Sequence, residues 1–158
     1  MELLKCTGFL DAMTLLNSAE SDCYAEFYLT QLPQAANLKS ALALHYANYL
    51  KENDIVLRDG AAGDAWSIDT LEIPAPSTML DATCRKWFFC SEHMTSTPSG
   101  THRANIISHF LCELKQAVGA ATTHRVYITP PCWYAIDWDE IAFEREDRRY
   151  LLHFSHSN

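Results

Sequence analysis

No stretch of this sequence approaches the roughly 20 consecutive apolar residues that a bilayer-spanning helix needs, which excludes an integral helical membrane protein. Glycine is scarce, with five residues in 158. There is no glycine-rich loop to cradle a phosphate, no dinucleotide fingerprint and no serine nucleophile elbow. A nucleotide enzyme of a familiar kind is thereby disfavoured, and no cofactor is expected. Internal repeats and low-complexity segments are also missing, which argues against a solenoid or a flexible tail. The N-terminal residues lack the pattern of a secretory signal. Glu2 precedes Lys5, and Asp11 interrupts the apolar residues. A cytosolic location is the expectation.

Positive charge is short as well. Twelve lysines and arginines face 20 aspartates and glutamates, for a net charge of −8. A nucleic-acid backbone or an anionic membrane surface would be repelled. The acidity is uneven. Residues 1–72 carry eleven acids and four bases, whereas 73–158 carry nine and eight. The densest part, 52–72, holds Glu52, Asp54, Asp59, Asp64, Asp69 and Glu72 against Arg58 alone.

What is present is globular. Hydrophobic residues make up 48% of the chain and charged residues 20%. A chain of 158 residues has the length of one ordinary domain, and a single domain over 1–158 is expected. Such a domain buries roughly 70% of its unfolded surface.

Apolar spacing predicts helices at 9–17, 22–32 and 37–52, with Pro33 ending the second. In the third, His45 is expected to be a partly buried imidazole with its needs met. A short strand at 55–58, a loop around Gly60 and Gly63 and a strand at 66–73 follow. Pro74 and Pro76 stop regular structure. The aromatic run CRKWFFC at 84–90 predicts a strand. Thr101 is a suitable N-cap for a helix over 102–118, and Gly119 suits its end. The C-terminal part reads as a β-meander with strands at 125–129, 133–143 and from Tyr150 to at least Phe154. The apolar parity switches inside the middle strand, which implies a β-bulge near Asp139 and Glu140. The expected class is α+β, with N-terminal helices packed on one face of a mainly antiparallel sheet.

Three constellations carry chemistry. Cys84, Cys90, His93 and His102 offer zinc-type ligands spaced C-x5-C-x2-H and beyond. A strand at 84–90 would hold the two thiols about 20 Å apart, too far for one ion. The same Cys90, near His93 and His102, or Cys132, beside the first residues of a strand, is a candidate nucleophilic thiol, which needs a nearby base. Asp137, Asp139 and Glu140 beside Trp133, Tyr134 and Trp138 suit acid–base or sugar chemistry, or simply the wet face of a strand. His153 and His156 read as a solvent-facing and a tail histidine. Six cysteines without an export signal read as free thiols rather than disulfides.

The charge pattern leads to an expected class of function. A small acidic inhibitor of the immunity or antitoxin kind needs acids to steer a basic toxin or nuclease, and an aromatic anchor. Asp54, Asp59, Asp64, Asp69 and Glu72 with Trp66 supply both. The alternatives are a Cys/His-dependent enzyme or zinc module, and a homo-oligomeric accessory protein that pairs through a sheet edge. The oligomeric state is left open by the sequence.

Overall fold

The computed structural model describes residues 2–19, 23–52, 66–89 and 99–157. Along these, the elements are α1 (Glu2–Ala19), β1 (Tyr24–Gln31), α2 (Leu38–Glu52), β2 (Ser67–Glu72), α3 (Ser77–Phe88), α4 (Gly100–Val118), β3 (Thr122–Thr129), β4 (Asp137–Glu144) and β5 (Arg149–Ser157). The strands form one antiparallel sheet in the order β1-β5-β4-β3-β2. The class is α+β, and the C-terminal strands form the expected meander.

Both faces of the sheet are covered. Helices α1, α3 and α4 pack on one face, where Leu10, Trp87, Phe88 and Phe110 meet Phe27, Ile141 and Phe154. Each large side chain taken from water there contributes about 1.5–3 kcal/mol. Helix α2 lies on the other face. Its Leu38, Leu42 and Tyr46 meet Ile68, Val126, Ala142 and Leu151. The N-terminal helices α1 and α2 thus sit on opposite sides of the sheet.

That double cover accounts for the local differences from the sequence reading. Residues 24–31 form strand β1, not a helix. Ala25, Phe27 and Leu29 point to the α1 face and Tyr28 to the α2 face, so apolar residues fall on both parities and mimic helical spacing. The expected bulge is absent. β4 pairs with β5 one residue to one residue from Asp137 opposite His156 to Glu144 opposite Arg149. The parity switch arises because Ile141 and Phe143 enter one core and Ala142 the other.

The run from 84 onward is helical at least through Phe88. Thr83, Cys84, Trp87 and Phe88 form its buried stripe, and Asp81 pairs with Arg85 one turn on, at 2.6 Å. Helix α4 begins two residues before the expected start, with Ser99 at its N-cap in place of Thr101. The expected strand at 55–58 and the loop at Gly60 and Gly63 lie outside the described residues.

The β1 edge is closed by side chains of α1. Thr14 Oγ1 accepts the Phe27 amide N–H at 3.0 Å, and Ser18 Oγ accepts that of Ala25 at 3.1 Å. These two donors would otherwise be open at a sheet edge.

Candidate functional site

The alternation of β4 and β5 places Glu140, His153 and Ser155 side by side under α2, all buried. His153 Nδ1 lies 2.8 Å from Glu140 Oε1, and His153 Nε2 lies 2.8 Å from Ser155 Oγ. The Tyr134 hydroxyl donates to the same Glu140 oxygen at 2.9 Å. With Glu140 ionised, donor counting assigns the imidazole proton to Nδ1 and leaves Nε2 to accept the Ser155 hydroxyl. Among the described residues, Glu140 Oε2 and the Tyr46 hydroxyl have no hydrogen-bond partner. Burial, and then the Glu140 charge, hold the phenols of Tyr134 and Tyr46 well above their ordinary range.

The order hydroxyl–imidazole–carboxylate is that of a nucleophile triad. Ser155, however, is only 3% exposed and His153 only 2%. The set therefore serves as a connected polar core, satisfied among the described residues except at Glu140 Oε2. His153 is not the solvent-facing histidine expected from its sequence.

Tyr28 joins this core to the surface. Its ring stacks on His153, with centroids 4.5 Å apart and planes 17° from parallel. Its outer side lines a cleft of about 570 Å³ between β1 and α2, together with Glu26, His45, Asn48, Tyr49 and Glu52. Burial, then the Glu140 and Glu26 charges, raise the Tyr28 phenol. Burial is also the main influence on His45 and lowers its pKa, which keeps the imidazole neutral near pH 7. Its Nε2 is buried and has no hydrogen-bond partner among the described residues. Glu26 and Glu52 are exposed, and neither forms an ion pair among the described residues. Aromatic faces and two carboxylates around one hollow suit an organic cation.

The sequence-predicted residues fall elsewhere. Trp66 is 9% exposed and stacks on Tyr46 at 4.6 Å, so its ring belongs to the α2 core. Asp69 is exposed and pairs loosely with Lys39 at 3.9 Å; Glu72 is exposed three residues further along the same edge strand. Asp54, Asp59 and Asp64 lie outside the described residues.

Of the zinc-type set, Cys84 is buried in α3 and His102 is exposed in the first turn of α4. Cys90 and His93 lie outside the described residues. Among the described residues no cluster could hold a metal ion. Burial pushes the Cys6 thiol up to about 11 and raises those of Cys84 and Cys132, which opposes thiolate chemistry at all three.

The carboxylate trio is divided between the faces. Asp137 and Asp139 turn to the α1 face, where Lys86 Nζ sits 2.9 Å from each. Asp139 also accepts from Trp87 Nε1 at 2.8 Å and pairs with Arg125. Burial works against the Lys86 charge, but its two aspartates outweigh that and leave its pKa raised. Glu140 alone turns to the α2 face.

Glu26 and Tyr28 escaped the sequence reading because a helix was expected there. On β1, Glu26 and Tyr28 share the face opposite Ala25, Phe27 and Leu29, but the apolar ring of Tyr28 hides that alternation in the sequence.

No described helix is long and apolar enough to cross a membrane. No family model, curated protein or solved structure matches this chain.

Proposed function

We propose that this chain is a small acidic cytosolic binding protein, an inhibitor of the immunity or antitoxin kind. It neutralises a basic toxin or nuclease by seating one of that partner's arginine or lysine side chains between β1 and α2. The observation that carries this reading is that two carboxylates, Glu26 and Glu52, neither in an ion pair among the described residues, share one cleft with Tyr28 and Tyr49. A guanidinium placed there meets opposite charge and an aromatic face together. The eleven acids of residues 1–72 support it from a distance, since a one-sign field speeds encounter with a basic partner. Asp69 and Glu72 lie on β2, at the other edge of the sheet from β1, so they add to that field without lining the cleft.

Titration with a tetra-arginine peptide, followed by NMR, tests the site. The ring signals of Tyr28, His45 and Tyr49 should shift, and the double variant Glu26→Lys/Glu52→Lys should show no shift. Equal binding by that variant would overturn the reading. Co-expression tests the role. A basic, toxic protein encoded beside this one should be neutralised by it, and the same double variant should restore toxicity.

A further inference from the structure

A second cleft, also of about 570 Å³, opens on the opposite face of the sheet. It lies between the start of α3, the C-terminal half of α4 and strands β3 and β4. Leu80, Leu111, Leu114, Val118 and Phe143 supply its walls. Leu114, Val118 and Phe143 are also part of the buried core beneath it. A hollow of this size and lining has the usual character of a small-molecule site.

Its charge sets it apart from the rest of the molecule. Among the described residues that line it, Lys115 is the one charged group. Lys115 is exposed and makes no ion pair among the described residues. The Ser108 hydroxyl lies on the same rim, one helical turn from Cys112 and two from Lys115. A chain with a net charge of −8 therefore holds an apolar hollow whose one charge, among the described residues that line it, is positive. Beside it, the Arg145 guanidinium packs on Gly119, where an added methyl would sit 2.8 Å from Nη1. Gly119 has a φ of +68°, so the turn that brings Arg145 close depends on glycine.

We propose that this cleft binds a small amphipathic carboxylate, a medium-chain fatty acid in chemical class. The chain lies against the leucines and Phe143, and the carboxylate pairs with Lys115. The apolar walls provide affinity without direction, and the ammonium selects the sign of the head group. This site lies across the sheet from the β1–α2 cleft and does not depend on the partner reading.

Dodecanoate below its micelle concentration is the probe. Cys112 is exposed on the rim and reports occupancy, because bound ligand shields it from a bulky maleimide read out by peptide mapping. Dodecanoate should protect Cys112, and the cationic dodecyltrimethylammonium should not. Lys115→Glu should weaken dodecanoate binding about fivefold to tenfold, as expected for loss and reversal of one exposed charge. Ser108→Trp should block the cleft and abolish protection. Both positions are exposed, so neither variant threatens the fold. Glu26→Lys/Glu52→Lys should leave dodecanoate binding unchanged. Absence of protection in the native protein, equal protection by both head groups, or undiminished binding in Lys115→Glu and Ser108→Trp would each overturn the proposal.

Discussion

Tyr28 stacks on His153 with their centroids 4.5 Å apart, and this contact ties the surface cleft to the buried polar core. Behind the stack, His153 is fixed by Glu140 on one nitrogen and Ser155 on the other. The orientation of Tyr28 at the cleft therefore depends on groups that never reach solvent. Removing the carboxylate leaves His153 and Tyr134 buried without their acceptor. Glu140→Ala strands two buried donors, the His153 Nδ1–H and the Tyr134 hydroxyl, at about 1–3 kcal/mol each. Glu140→Gln keeps an acceptor oxygen and should cost less. Urea unfolding midpoints measure both, and equal midpoints for native and Glu140→Ala protein would contradict the network.

Ser155 should be chemically inert. Its hydroxyl donates to His153 but is 3% exposed, so an approaching electrophile cannot reach it in the folded chain. A fluorophosphonate probe should leave it unlabelled over hours at neutral pH. Ser155→Ala should cost about 1 kcal/mol of stability, as for one lost hydrogen bond. Stoichiometric labelling of Ser155 in the folded protein would instead make it a nucleophile.

The parts of the fold with one covered face or a strong stripe were legible from residues alone. Leu38, Leu42 and Tyr46 of α2, and Ile107, Phe110 and Leu114 of α4, repeat at helical spacing and bury one side. Tyr150, Leu152 and Phe154 alternate into the α1-face core as the meander reading expects. Strand β1 was not legible, because Phe27 and Tyr28 are both covered, from opposite sides, and alternation disappears when both faces are apolar. In α3 the aromatic Trp87 and Phe88 suggested strand, whereas tertiary packing selected helix. The site was read only in part. Acid on the first 72 residues pointed to Glu52, but Glu26 depended on the missed strand. The Glu140–His153 pair joins residues thirteen apart on neighbouring strands, a contact that register creates and spacing does not announce.

Trp66 should act as a core residue in any assay. It stacks on Tyr46 and meets Tyr134 edge-on at 5.4 Å. Trp66→Ala should destabilise the chain by about 3–5 kcal/mol, the usual range for deleting a buried large aromatic. Asp69→Lys and Glu72→Lys, at exposed positions, should stay within about 0.5 kcal/mol. Thermal denaturation separates the two groups. A Trp66→Ala protein of unchanged stability would move the ring to the surface and return it to the partner interface.

His45 gives the α2 face a dependence on pH. Burial lowers its pKa in the folded chain below the unfolded value of about 6.5. The unfolded chain then takes up a proton first as the solution is acidified. Stability from this group is fully present above about pH 6.5 and falls as pH drops below that value, until the folded imidazole also protonates. Glu140, His153 and Glu52 act on His45 from the neighbouring strands and its own helix; the two carboxylates oppose the depression and His153 adds to it. Native protein should therefore lose more stability between pH 7.5 and pH 5.5 than His45→Gln does, measured by urea midpoints at each pH. Parallel losses in the two proteins would assign the acid sensitivity to other groups.

The two hydroxyls of α1 that close the β1 edge should matter singly and together. Thr14→Val keeps the shape of the side chain but leaves the Phe27 N–H without its acceptor, and Ser18→Ala does the same to Ala25. Each should cost about 1 kcal/mol. The edge has a second consequence. Freed N–H groups on an outer strand are a template for another chain, so the double variant should self-associate more readily than the native protein. Amide exchange at Ala25 and Phe27 should accelerate in the matching single variant, since each donor has lost its own acceptor and not its neighbour's. Unchanged exchange at Phe27 in Thr14→Val would show that β1 is protected by something other than α1.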